Sequence, residues 1–237
     1  MRLDKFISHV LNVTRANAID VIKDGKVEVN GKVVKKKDFF INEEIDKISY
    51  LDKLIKYRKF IYFMLNKPQG VVSAVRDKKD KTVIDLIVER KDIFPVGRLD
   101  KDTEGLLILT NNGSLAHKLT SPKYDCIKKY YVESIKDFTK EEMISFCQGL
   151  VITDQNNELF LTKKANIEYI SERKYFVYIT EGKFHQIKKM FIALDNEVVF
   201  LKRVSHGSIS LDNSLLPGQY RELTDEEVIL LKEMYNE

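Results

Sequence analysis

Cysteine and histidine are scarce in this chain of 237 residues, and their spacing excludes most of what they could do. The two cysteines, Cys126 and Cys147, form no CxxC. A lone pair in a chain of this size reads as two buried thiols rather than a disulfide, and neither is a good candidate nucleophile. The four histidines, His9, His117, His185 and His206, offer no HxxxH and no Cys/His ligand spacing. A zinc or other transition-metal centre is therefore not expected, and the chemistry is read as metal-free. Long apolar runs are missing too. The opening MRLDKFISHV lacks an uninterrupted apolar segment behind a basic flank, and no later stretch approaches the ~18 apolar residues of a membrane span. The expectation is a cytoplasmic protein with no membrane partner.

What remains is ample for folding. Apolar residues make up 43% of the chain and charged ones 32%, enough for a core and no case for extended disorder. The length suits two unequal domains. The net charge of +4 is unevenly placed: residues 1–58 hold 13 Lys and Arg against 9 Asp and Glu, leaving 27 against 27 beyond. The whole excess lies in the first quarter, as in a basic accessory module joined to a charge-balanced body. Nucleic acid is the natural partner for such a module, although charge alone fits an ordinary solvated surface better.

Within the first module, Leu3, Phe6, Ile7 and Val10 recur at helical spacing, and Ala16, Ile19, Val21 and Ile22 give a second apolar stripe behind Thr14 as N-cap. Lys26 to Val34, KVEVNGKVV, alternates around Asn30-Gly31, the strongest short signal for a type I′ hairpin. These 33 residues resemble the S4 RNA-binding fold through Arg2, Leu3, Asp4, Thr14-Arg15, Ala18, Ile22, Gly25, Val27 and Val29-Asn30-Gly31. Arg2, Lys5, Arg15, Lys23 and Lys26 are then the candidates to line one side of the helix pair and meet phosphates, a salt-sensitive and largely sequence-independent hold on RNA. Aromatic residues are few here, so base reading is not expected of this module.

Asp52 to Lys59, DKLIKYRK, reads as a short charged bridge, which sets the expected division at 1–58 and 59–237. Downstream, IYFMLNKP, GLLILT, KKYYVES, KYFVYIT and VVFLKRV are rich in β-branched and aromatic residues and read as strands. LAHKL at 115–119, KEEMISFCQGL at 140–150, GKFHQIKKMFIAL at 182–194 and the terminal DEEVILLKEMY read as helices. Without strict βαβ alternation, the body is expected to be α+β around a mixed, largely antiparallel sheet.

The segment Gly97-Arg98-Leu99-Asp100 places a permissive glycine, a planar cation and a carboxylate just before an apolar strand. Taken alone, the motif favours a structural turn pairing Arg98 with Asp100. It does not stand alone. FMLNKPQGVVSA at 63–74, GRLDKDTEGLLILT at 97–110, KKYYV at 128–132, EGKFHQIKKMF at 181–191 and LKRVSHGSISL at 201–211 follow in order. Together with the amino-terminal module they resemble the pseudouridine synthases of the small-subunit ribosomal RNA group, over nearly the whole chain.

That resemblance implies an isomerase that breaks the N1–C1′ bond of a uridine, turns the uracil, and joins C5 to C1′, with no redox cofactor or energy source. It assigns the reacting carboxylate to Asp100, either attacking C1′ or removing a neighbouring sugar proton. Lys188 occupies the position of the cation that keeps this carboxylate ionised, where many relatives in the broader superfamily have Arg. Without the motif, Lys188 and Lys189 read as a solvated helix face. Tyr130, in the Lys-x-Tyr-x-Val pattern at 128–132, becomes the ring that packs on the target uracil and a candidate in the final C5 deprotonation; its plain reading is a core tyrosine. On a strand, Tyr131 points to the opposite face. Arg98 is the side chain expected to stabilise the gap left by the flipped base. Lys67, with Pro68 and Gly70, is expected at the pocket edge in contact with RNA. Asp102 and Glu104 lie in KDTEG, which reads as an exposed turn. The partner implied is 16S ribosomal RNA or a small-subunit assembly intermediate, met by a monomer. Large-subunit RNA is the alternative substrate, and a non-catalytic assembly protein the alternative class.

Overall fold

The structure, a computed structural model, describes all residues except 44, 56–59, 89–91 and 234–237. It divides into two compact units, Met1–Lys59 and Phe60–Glu237. The end of the charged bridge at 52–59 lies outside the described residues.

The first unit opens with helix α1 (Leu3–Val10) and helix α2 (Arg15–Lys23), followed by strands β1 (Val27–Val29), β2 (Lys32–Val33), β3 (Ile48–Tyr50) and β4 (Lys53–Leu54). Thr14 caps α2 by accepting a hydrogen bond from the Asn17 N–H. Asn30 and Gly31 both take positive φ, 54° and 75°, as a type I′ turn between β1 and β2 requires. The helices bury Leu3, Phe6, Ile7, Ala18 and Ile22 against Val27, Val29 and Ile48 of the small sheet, ordered β2-β1-β3-β4. Ala16 does not belong to that face: it is exposed, and Ala18 takes its place four residues before Ile22.

The second unit is built on a mixed sheet. Its elements are β5 (Tyr62–Lys67), β6 (Phe94–Pro95), β7 (Glu104–Thr110), α3 (Gly113–Thr120), β8 (Lys128–Ser134) and α4 (Lys140–Gln148). There follow β9 (Val151–Thr153), β10 (Leu159–Leu161), β11 (Asn166–Ser171), β12 (Lys174–Ile179), α5 (Gln186–Ile192), β13 (Val198–His206), β14 (Ile209–Ser210), β15 (Tyr220–Glu222) and α6 (Asp225–Glu233). The main path runs β11-β12-β8-β13-β7-β5-β15, antiparallel at every pair except β13 with β7. This is the α+β, largely antiparallel architecture expected from the strand-rich, non-alternating pattern.

β5 and β7 are apolar at almost every position because both faces of the sheet are covered. Phe63, Leu65, Leu107 and Leu109 point into one core, Tyr62, Met64, Leu106 and Ile108 into the other. Gly105 opens β7 with φ 104°, and a Cβ there would lie 2.2 Å from the Arg203 carbonyl oxygen. Only glycine lets β7 approach β13 this closely at the point where their parallel pairing begins. The helix expected over 182–194 starts later, at Gln186, because His185 adopts a left-handed conformation that stops the α-helical path. No helix among the described residues is long and apolar enough to cross a membrane.

Candidate active site

The loop 97–103 runs from β6 into β7, and the segment that follows β5 holds it by its backbone. Ser73 donates its hydroxyl to the Leu99 carbonyl (2.9 Å) and accepts from the Leu99 N–H (3.0 Å). The Gly70 N–H donates to the Lys101 carbonyl at 2.8 Å. Beneath them, Lys67 is fully buried, its ammonium donating to the carbonyls of Asp100 and Thr103 (2.9 Å each) and Pro68 (3.1 Å), with Lys101 at 3.4 Å. Burial pulls the Lys67 pKa down to about 8, opposed by the nearby carboxylates of Asp100, Asp102 and Glu104.

The expectation that Lys67 contacts RNA is therefore corrected. With no exposed surface it cannot reach a phosphate, and its ammonium is instead surrounded by four backbone carbonyls.

The opposite wall comes from the start of α5. The Glu181 carboxylate accepts from the Lys163 N–H (2.8 Å) and from the Gln186 side-chain amide (2.7 Å), and Gln186 accepts in turn from the Lys183 N–H at 3.0 Å. Phe191, farther along α5, is locked in an aromatic cluster with Phe138 and Phe146, ring centroids 4.8 and 5.7 Å away. This anchoring turns Lys188 toward the loop. Its ammonium lies 3.3 Å from the Asp100 carboxylate and donates to Asp102 at 2.6 Å. Lys189, one residue on, goes elsewhere and donates to the carbonyls of Thr153 and Asp154 at 2.8 and 3.0 Å.

Tyr130, on β8, is buried, and Tyr131 on the other face is only partly covered, as strand alternation requires. Arg98, Asp100, Tyr130 and Lys188 all line one solvent-open pocket, with His185 and Leu201. The structure thus brings together four residues drawn from a loop, a strand and a helix. Asp102 is in the exposed turn expected of KDTEG, its side chain 70% exposed, and it also holds Lys188; burial raises its pKa, but the hydrogen bond and charge of that ammonium together with its other contacts outweigh it and leave the carboxyl below its usual range. His185, with Nε2 3.7 Å from the Asp100 carboxylate, had no signal beyond its place in GKFHQ.

Of the five cations considered in the first unit, Arg2 and Arg15 meet at the buried Asp4, to which their guanidinium groups donate at 2.8–3.3 Å. Burial raises the Asp4 pKa, but the hydrogen bonds from Arg15, Arg2 and the Lys5 N–H outweigh it and leave the carboxyl below its usual range. Lys5 and Lys23 are exposed, while Lys26 donates to Asp24 at 2.8 Å.

Comparison with known proteins places this geometry. Residues 61–193 match the RNA pseudouridylate synthase family model, and residues 1–44 match the S4 domain. The chain belongs to the RNA pseudouridylate synthase family. As a member it is an isomerase acting on RNA, with an S4 domain before the catalytic one. The synthase is 43% identical to the uncharacterized RNA pseudouridine synthase YtzG of Bacillus subtilis, over 98% of this chain and 99% of that one. It is 39% identical to the ribosomal small subunit pseudouridine synthase A of Escherichia coli, over 96% and 98%. A crystal structure of a pseudouridylate synthase at 37% identity superposes with a TM-score of 0.68, covering 98% of this chain and 99% of that one.

In the synthase, Lys67→Met should reveal how much the loop depends on its buried ammonium. Hydrogen bonds to a charged group contribute roughly 1.5–3 kcal/mol each, partly offset by the burial of the charge, so a net loss of about 2–4 kcal/mol is expected. In a unit of this size that lowers Tm by roughly 5 °C or more. A Tm within 1 °C of the parent would show that the loop is held without Lys67.

Proposed function

We propose that the chain isomerises one specific uridine of 16S ribosomal RNA, with Asp100 as the reacting carboxylate. The observation that carries this reading is the convergence of Asp100, Lys188, Tyr130 and Arg98 on one pocket. Pseudouridine formation redistributes bonds without net change. The N1–C1′ bond breaks with its electron pair leaving on uracil, the base turns, C5 bonds to C1′, and the C5 proton is lost as N1 gains one. Asp100 begins this by attacking C1′ or by taking a neighbouring sugar proton, and both need an ionised carboxylate within reach of the sugar. Lys188 places a positive charge 3.3 Å from that carboxylate and helps to orient it. Tyr130 offers a ring against which the uracil packs and a phenol near C5, and Arg98, exposed at the mouth, fills the gap the base leaves in its stack.

The small-subunit assignment is supported by the 39% identity to the E. coli enzyme across nearly the full length of both chains. Arg2, held beside Arg15 by Asp4, presents with Lys5, Lys23 and Lys26 the cations that anchor RNA phosphates, and a monomer working in the cytoplasm on free 16S RNA or an assembly intermediate suffices. Large-subunit RNA is the competing substrate. Mapping pseudouridine across ribosomal RNA from a deletion strain tests both parts: one 16S position should lose its modification and regain it on complementation. A loss confined to 23S RNA, or none at all, would refute the substrate assignment.

A further inference from the structure

Next to Asp100 the backbone takes an unfavourable path for a visible purpose. His185 sits at φ 55° and ψ 28°, a region that bulky side chains avoid unless their surroundings impose it. The imposition is the Gln186 network: the Gln186 side chain accepts from the Lys183 N–H, its backbone N–H donates to the Lys183 carbonyl, and the buried Glu181 fixes its amide. The consequence is that Phe184 and His185, neighbours in sequence, lie ring on ring, with centroids 3.8 Å apart and planes 19° from parallel. His185 forms part of the pocket wall. Phe184 carries the stack outward and is 51% exposed, with the Lys189 ammonium 5.2 Å from its ring centroid, while that of the exposed Lys183 lies toward Phe160.

A phenylalanine kept only for packing would be expected in the core, where Phe191 of the same segment lies. An exposed ring stacked edge to pocket, next to a cation, is instead a platform for a flat, π-faced group on an anionic chain. When a target nucleotide swings into the pocket, the base beside it in the strand loses a stacking partner. We propose that Phe184, backed by His185, is the stacking subsite for the nucleobase flanking the target uridine. This rests on the reading that the pocket receives a uridine of RNA.

The test uses the full-length protein and three versions of a 16S fragment around the mapped uridine: unmodified, abasic on its 5′ side, and abasic on its 3′ side. Phe184→Leu should weaken binding of the unmodified RNA about 10-fold, and Phe184→Tyr should restore it. One of the abasic RNAs should bind the wild type about 10-fold more weakly and should no longer distinguish wild type from Phe184→Leu. Equal binding of unmodified RNA by wild type and Phe184→Leu would overturn the proposal. So would an equal loss by that variant on all three RNAs, which is what a purely structural ring would give. Failure of the wild type to form pseudouridine in the unmodified fragment would instead remove the underlying reading, and the subsite with it.

Discussion

Asp100→Asn is expected to reduce single-turnover isomerisation by roughly 1,000-fold or more, with RNA affinity changed by less than about 3-fold. The amide is nearly isosteric but can neither attack C1′ nor take a sugar proton. The substitution also leaves the loop in place, because Lys67, Gly70, Ser73 and Thr103 bind backbone atoms of residues 99–101 and not the Asp100 side chain. The loss should therefore appear in the chemical step and not in binding or in Tm. Pseudouridine formation in a saturating 16S transcript, measured alongside a binding titration, separates the two. Turnover comparable to the parent would end the assignment of Asp100.

The second large effect is expected of Lys188→Met, which should lower turnover roughly 100-fold, the scale of removing one preorganised charge from an active site. The ammonium lies against the Asp100 carboxylate and holds it in place within the pocket. The geometry sharpens the expectation, since Lys188 lies between Asp100 and Asp102, at 3.3 and 2.6 Å. Without the ammonium the two carboxylates face each other with no intervening cation. Lys188→Arg should recover part of the rate, as the charge is kept while its shape changes. Turnover by Lys188→Met equal to that of the parent would show that the two side chains do not work together in the enzyme.

How far these features could be read from sequence depended on whether their signals were local. The Asn30-Gly31 turn, the Thr14 cap and the two faces of KKYYV are set by neighbours in the chain, and the structure has them where the pattern put them. The gathering of Arg98, Asp100, Tyr130 and Lys188 was legible only through the ordered motifs, since no spacing rule joins residues 98 and 188. Lys67 was misplaced because a lysine in an apolar strand gives no sign of whether it faces water or a ring of carbonyls. Asp102 is the exposed turn residue its sequence predicts, and only its hold on Lys188 of α5, more than eighty positions away, is not visible locally. His185 was hidden for a different reason. GKFHQIKKMF reads as one helix, and the left-handed residue inside it is imposed by Glu181 and Gln186 rather than by a glycine or asparagine that would announce it.

The parallel pairing of β7 with β13 also has a consequence for the order in which the molecule can be made. Synthesis delivers the first unit early, and its two helices and small sheet close on contacts within some fifty residues, so an RNA-holding module can fold while the rest is still being translated. The catalytic half behaves differently. β7 has β5 along one edge and the earlier β6 at the far end of the other, but its first residues, Glu104 and Gly105, stay unpaired on that edge until β13 arrives, nearly a hundred residues later. Asp100 likewise waits for Lys188. The growing chain thus completes its S4 domain well before its catalytic site, with only the start of one edge of β7 open during that interval.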